Sequence, residues 1–566
     1  MRTLRYTNLT RTAAFAKLRD TSPPPLSEVG PDRIRRYQTA AAEGITYNYA
    51  AKRIDDEVLD ALVELAGEQQ CLEKFQALYN GEVMNTGEGR MVLHHLTRGQ
   101  LGDAVTKDGA DLRQFYLEQQ NRVAEFARSV HAGNTTGSTR KPFDTVVQVG
   151  IGGSDLGPRA MYLALENYAR QAGIGPKLSG HFISNVDPDD AAAVLESVDP
   201  ETTLFILVSK SGTTQETLTN EAFIVEKLGA RGIKGLNPRK HIVAVTSQTS
   251  PLAKSSDYLE AFFIDDYIGG RYSSSSAVGG AILSLAFGPE IFAEFLEGAH
   301  GADKAAQEGD PLKNAALLDA LIGVYERNVM GYPMTAVLPY SQALRRFPAH
   351  LQQLDMESNG KSVNRGGEPV DYATGPVVFG EAGTNGQHSF YQLLHQGTDI
   401  VPLQFIGFRE SQRYEDVVFD GSTSQRKLLA NLVAQIVAFA QGKDDRNPNK
   451  AFAGNRPSGI LYAERLTPRS LGALLAHYEN KVMFQGFLWN VNSFDQEGVQ
   501  LGKVLAKRVL GNEMDPALET YAGLLGINNG GIGTGRNGTG RSGTGRSGTG
   551  RNGTGRSGTG RNGTGS

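Results

Sequence analysis

The chain of 566 residues holds a single cysteine, Cys71. That excludes an intramolecular disulfide and separates the sequence from small secreted scaffolds stapled by paired thiols. No stretch reaches eighteen consecutive apolar residues, and the opening MRTLRYTNLTRTAAFAKLRD has no continuous apolar core of signal length. The expectation is therefore a soluble, cytoplasmic protein with no membrane partner. Acidic residues are missing from the C-terminal end. From Gly533 onward a five-residue unit, TGRNG or TGRSG, repeats with six arginines between Arg536 and Arg561. Such a segment has too little apolar surface to form a core, so 526–566 reads as a disordered low-complexity tail. It is not collagen, because glycine does not recur at every third position. Without those six arginines the formal charge of -4 falls to about -10, so the body is acidic and nucleic acid is not expected as its partner.

What the chain does contain is α/β grammar, stated twice. Residues 1–135 read as a mainly helical arm, with DDEVLDALVELAGEQQCLEKFQALYNG and DLRQFYLEQQNRVAEFARSVHAG at helical spacing. The composition then shifts. In 136–320 strand, glycine- or hydroxyl-rich turn and helix succeed one another in TVVQVGIGGSDLGPRAMYLAL and again in TTLFILVSKSGTTQETLTNEAF. The apolar run 205–208 suits a strand buried on both faces of a parallel sheet. A second unit, 321–525, opens at GYPMTAVLPY and continues through VPLQFIGF and the helix QRKLLANLVAQIVAFAQG. Two such units in succession predict facing halves with ligand-binding turns between them.

The richest stretch is ESNGKSVNRGGEPVDYATGPVVFGEAGTNGQH, from Glu357 to His388. It begins with a carboxylate at the end of a predicted helix and closes with an imidazole. A carboxylate can move a proton on and off carbon, and an imidazole can do so on oxygen near neutral pH. Residues 377–379 read as a short strand and SFYQLLHQG as a helix. The best phosphate cradle is Ser209-Lys210-Ser211-Gly212-Thr213-Thr214, where hydroxyls, a lysine and the N–H groups of a helix start converge. It lacks the GxxxxGK[ST] order of a nucleotide loop, and a capping box with Thr213 or Thr214 ahead of Glu216 or Thr217 would explain the same residues. Gly150-Ile151-Gly152-Gly153-Ser154 fails the dinucleotide fingerprint and fits a turn approaching a hydroxylated ligand. Gly269-Gly270-Arg271 is either a surface turn or a guanidinium aimed at developing negative charge.

Taken together, VGIGGSDLGP, SKSGTTQET, GGRYS…SAVGG, QQLDMESNGK, GEAGTNGQHSFYQLLHQG and NSFDQEGVQLGK resemble the glucose-6-phosphate isomerase family, in the same order, over roughly residues 40–515. The resemblance implies two sugar-isomerase (SIS-type) α/β/α sandwich domains with parallel-sheet cores in a homodimer. It also implies reversible conversion of glucose 6-phosphate to fructose 6-phosphate, in glycolysis and gluconeogenesis, through a cis-enediolate with no metal or nicotinamide cofactor. On matching positions it implies that Ser209, Lys210, Ser211 and Thr214 hold the phosphate. Glu357 would be the carbon base, and Arg271 beside Gly270 would stabilise the enediolate. His388 would open the ring with Lys503 nearby, Glu216 would orient the histidine, and Gln353, Gln496, Gly153 and Ser154 would line the sugar pocket. His388 is expected to come from the neighbouring subunit. Two departures stand out. Ser211-Gly212 replaces a threonine–phenylalanine pair, which is expected to loosen the loop. Gly87 replaces a threonine in Asn85-Thr86-Gly87-Glu88-Gly89-Arg90, which is expected to soften the contact between arm and core. A sugar-phosphate-binding regulator without catalysis is the alternative; it would lack Glu357, Arg271, His388 or Lys503, and all four are present.

Overall fold

The computed structural model describes residues 3–27, 29–171 and 175–527. Described residues up to Gln496 form one compact unit, and those from Glu497 onward form another. The low-complexity repeat lies outside the described residues.

An antiparallel hairpin of β1 (Gln38–Ala40) and β2 (Thr46–Asn48) comes first. Five strands follow: β3 (Thr145–Val149), β4 (Ser179–Ile183), β5 (Thr203–Val208), β6 (Ile242–Thr246) and β7 (Glu260–Phe263). They form an all-parallel sheet in the order β4-β3-β5-β6-β7. The side chains obey the two-residue alternation of a strand. Val146, Leu204, Ile206, Val208, Val243 and Val245 enter the main core, which the helices Leu156–Gln171 and Ala277–Phe287 share. Val147, Val149, Phe205, Leu207, Ile242 and Ala244 enter a second core with the helices Pro188–Ser197 and Gln215–Ala230. Covered on both faces, β5 is buried at all six positions, which is why it reads as an unbroken apolar run.

The second parallel set comprises β8 (Met334–Pro339), β9 (Val377–Phe379), β10 (Leu403–Phe408) and β11 (Ser458–Ala463). Its sheet order is β1-β2-β11-β10-β8-β9, with β2 antiparallel to β11. The expectation of a mainly helical N-terminal arm therefore needs correcting for residues 38–48. The strand 46–48 pairs with 460–462, a partner hundreds of residues away that local periodicity cannot register, and 38–40 pairs in turn with 46–48. This pairing covers an edge that would otherwise expose unpaired N–H and C=O groups. Helix Pro468–Leu488 is buried along almost its whole length and packs against helices Pro289–Ala305 and Ala315–Asn328.

Topology sets the place for a ligand. From β3 the chain pairs β4 on one side, then crosses to β5 on the other. The crevice outside the carboxyl ends of β3 and β5 lies at this change of direction, where open α/β sheets bind ligands. The turns emerging there are 150–154 and 209–214.

Candidate active site

The glycine turn after β3 and the turn before Arg271 are in backbone contact. A Cβ on Gly153 would lie 2.3 Å from the carbonyl carbon of Gly270, so no side chain fits there without displacing one turn. Gly152 has φ +61°, and a Cβ on it would stand 3.5 Å from the Gln353 amide nitrogen. Gln353 thus reaches the glycine turn, and its Oε1 is buried without a protein partner. Ser154 takes part through its carbonyl, which accepts from Gln148 Nε2 at 2.7 Å.

Arg271 lies in the 3-10 turn Gly270–Ser275 with 1% of its side chain exposed, so the surface-turn alternative fails. Nε donates to Ser358 Oγ at 2.6 Å and Nη1 to Gln496 Oε1 at 3.0 Å. Nη2 donates to the carbonyls of Ser493 at 2.6 Å and Asp495 at 3.0 Å. Four of the five guanidinium N–H groups are thereby committed. The fifth belongs to Nη1, the nitrogen 3.7 Å from Glu357 Oε1.

Glu357 ends a π-helical turn, Gln353–Glu357, that continues the helix Phe347–Gln352. The helix-end position expected from the sequence is the one observed, and the strand at 377–379 and a helix at Tyr391–Gln396 follow as expected. The Glu357 side chain is 22% exposed, open enough to meet a substrate. Lys361 Nζ clamps the turn, donating to the Glu357 carbonyl at 2.9 Å and to the Asp495 carbonyl at 3.0 Å, beside the Asp495 carboxylate. Burial lowers the Lys361 pKa, and the bond to Asp495 opposes this. Ser358, Lys361, Ser493 and Asp495 were not singled out from the sequence. The signal was at hand, because they fall inside QQLDMESNGK and NSFDQEG.

In the hydroxyl-rich turn the capping alternative can be checked directly. Thr214 is the N-cap of helix Gln215–Ala230, yet its side chain makes no capping bond. Its Oγ1 instead accepts from Ser209 Oγ at 2.9 Å, while Ser209 Oγ accepts from the Gly212 N–H at 3.1 Å. The capping-box alternative is therefore not realised, and the helix start keeps N–H groups for an anion. Ser211 is exposed, and Lys210 Nζ rests on the carbonyls of Ile268 at 3.1 Å and Asp266 at 3.3 Å, beside the Asp266 carboxylate at 3.7 Å. Burial lowers the Lys210 pKa, with Asp266 and Asp265 opposing. Gly212 does not loosen the loop. Its φ is +65°, and a Cβ would fall 2.0 Å from Ser250 Oγ, so glycine is what lets the turn close.

Gly87 likewise tightens a contact that it was expected to soften. A Cβ there would lie 2.8 Å from the Asp495 carboxylate, and Asn85 at the start of the same turn accepts from Asn492 Nδ2 at 3.0 Å. The absence of a side chain lets the arm approach the residues that hold Arg271.

Two expected residues make no hydrogen bond or ion pair with the residues above, among the described residues. His388 is exposed at the end of the turn Asn385–His388, and Glu216 sits in the first turn of its helix. No hydrogen bond or ion pair joins these two among the described residues. A third, Lys503, is exposed on helix Gln500–Leu510, in the unit that begins at Glu497.

Comparison with known proteins agrees with this geometry. A family model described as phosphoglucose isomerase matches residues 48–520. The chain is 59% identical over 530 residues to a glucose-6-phosphate isomerase of Treponema pallidum (strain Nichols), covering 92% of this chain and 98% of the relative. It is 61% identical over 493 residues to that of Treponema denticola, covering 87% and 92%. A crystal structure of a glucose-6-phosphate isomerase from Chlamydia trachomatis D/UW-3/Cx superposes with a TM-score of 0.86 at 44% identity, covering 92% of this chain and 100% of that one.

Proposed function

Because the chain belongs to the phosphoglucose isomerase family, we propose that the residues gathered around Arg271 and Glu357 are its catalytic centre. The reaction is the reversible isomerisation of glucose 6-phosphate to fructose 6-phosphate, a step of glycolysis and gluconeogenesis. The observation that carries the assignment is the 3.7 Å approach of Glu357 Oε1 to the one Arg271 nitrogen with an uncommitted N–H.

In this reading Glu357 removes the C2 proton of the open-chain aldose. The C–H electron pair becomes the C1–C2 double bond, and the carbonyl electrons move onto O1. Arg271, a fixed cation, is in place to stabilise the enediolate before any charge develops. Glu357 returns the proton to C1, the electrons of the C1–C2 double bond forming the new C–H bond, while the O2 proton passes to O1, leaving O2 as the ketone oxygen and O1 as a hydroxyl. Ser209, Lys210, Ser211 and Thr214 hold the phosphate, and binding energy remote from the reacting carbons keeps the flexible sugar in register. Gly153, Ser154, Gly270, Gln353 and Gln496 shape the sugar pocket. The wall of glycine backbone, with no side chains of its own, leaves room for hydroxyls to approach.

Ring opening falls to the partner's His388, oriented by Glu216, with Lys503 at the ring oxygen. His388 is exposed and unpaired with Glu216 in a single chain, which suits contribution across a homodimer interface. The two α/β halves are read as SIS-type domains at 136–320 and 321–525, following an N-terminal arm at 1–135, with 526–566 a tail outside the catalytic machinery. The protein is assigned to the cytoplasm; among the described residues no helix is long and apolar enough to cross a membrane.

The test is fructose 6-phosphate formation from glucose 6-phosphate by purified protein and by Glu357→Gln. The variant is expected to fold, to bind the sugar phosphate, and to lose at least about a thousandfold in kcat. Retained turnover would remove Glu357 from the role of carbon base.

A further inference from the structure

We propose that Asp355 is a positioning residue for Glu357, acting through water held in a small polar cavity behind the π-helical turn. The inference rests on Glu357 being the carbon base. On that turn Gln353 and Glu357 face the site, while Leu354 and Asp355 point inward and are buried. A π-helical turn carries one residue more than an α-turn of the same rise and recurs at functional sites. Some interior contact must therefore fix which side chains face which way.

The contact available is polar. Asp355 lines a cavity of about 30 Å³ together with Gln404 of β10 and Gln485 and Lys481 of helix Pro468–Leu488. That volume holds about two water molecules. Asp355 Oδ1, Gln404 Nε2, Gln485 Oε1 and the Tyr332 hydroxyl are buried with no protein partner, and all four residues line this one cavity. One amide donor, two acceptors and a hydroxyl around so small a space are what bridging water satisfies, accepting from Gln404 and donating to Asp355 and Gln485.

The charged groups around the cavity leave Asp355 apart. Lys481 Nζ donates to Asp319 at 3.0 Å, with His477 on the other oxygen at 3.2 Å. Lys52 Nζ donates to Glu326 at 3.0 and 2.9 Å, and Arg327, at the rim, donates to the Thr374 carbonyl. Both lysines are thus committed to other carboxylates, and among the described residues no ion pair holds Asp355. Burial raises its pKa to about 7; Lys481 opposes and Asp319 reinforces this. A change of charge at Asp355 would reorient water held between it and the two glutamines.

Two substitutions test this with kcat, KM and pH profiles for fructose 6-phosphate. Asp355→Asn keeps the shape and a hydrogen-bonding amide but cannot ionise. It is expected to fold, and the ionisation near pH 7 expected in the wild-type kcat profile is expected to be absent from its own. Asp355→Leu removes the water anchor and is expected to lower kcat at least about tenfold, with KM changed less than about twofold, as a small displacement of a general base would. An Asp355→Asn profile superimposable on wild type overturns the proposal even if the leucine variant fails to fold. So does a folded Asp355→Leu protein with kcat within about twofold of wild type. Failure of the catalytic assignment would look different, with the wild-type protein forming no product.

Discussion

At the scale of single residues, the site sets charges that are held beside charges that are left open. Arg271 has four donors fixed by Ser358, Gln496, Ser493 and Asp495, so it contributes a cation that need not reorganise. Lys210, resting on two carbonyls beside Asp266, is the cation proposed to meet the phosphate. Lys210→Ala is expected to raise KM for either sugar phosphate about tenfold or more, the worth of one charge-assisted bond, with a smaller change in kcat. An unchanged KM would count against its phosphate role. Asp355 also makes stability depend on pH. Its folded pKa of about 7 lies above that of an exposed carboxyl, so the folded state holds a proton that the unfolded chain releases. That contribution is complete below about pH 4 and is lost as pH rises through 7, a swing of about 4 kcal/mol. Denaturant unfolding of wild type and Asp355→Asn at about pH 4.5 and about pH 8 is expected to show the variant gaining relative stability at the higher pH.

At the scale of elements, the turns between strands and helices do the positioning, and glycine lets two of them touch. Gly153 packs on the backbone of Gly270, and that contact ties the turn after β3 to the turn of Arg271. Gly153→Ala is expected to cost about 1–3 kcal/mol, since the strain falls on backbone that cannot rotate aside. It is also expected to cut kcat/KM by shifting Arg271, measured alongside the melting temperature. Wild-type values for both would mean that the turns are not coupled. Element identity was largely legible in the sequence. The run 205–208, the strands at 145–149 and 377–379, and the helix ahead of Glu357 are where apolar period and turn residues placed them. The misses share a cause. Residues 46–48 are a strand through pairing with β11, and β11 itself, SGILYA after Pro457, is held between that segment and β10. Neither carries the decision locally.

For the whole molecule, the proposal that an exposed His388 serves the site of a second copy predicts sites shared between two chains. Mixing Glu357→Gln with His388→Ala under conditions that exchange subunits tests this. Each variant alone is expected to be nearly inactive. A mixed dimer has one site built entirely of wild-type residues, so random pairing should restore about a quarter of wild-type activity. No recovery from confirmed mixed dimers would place both residues within one chain. The buried clusters of Arg98 with Asp303 and Glu479, and of Lys481 and His477 with Asp319, join helices of the interior. Burial raises the Glu479 pKa to about 7 against the pull of Arg98.

Read alone, the sequence determined the α/β class, the acidic body and the residue types needed for proton transfer beside a phosphate. These follow from local period, composition and side-chain chemistry, all of which a linear string contains. It left open whether 209–214 capped a helix or cradled an anion, and whether Arg271 was a surface turn or a buried cation. Tertiary structure excluded the cap and the surface turn. Thr214 spends its hydroxyl on Ser209, and Arg271 finds its partners at 358 and 493–496. Only folding brings such distant segments within hydrogen-bond reach, and only there does burial turn a glycine, a carbonyl or a buried carboxyl into part of a site.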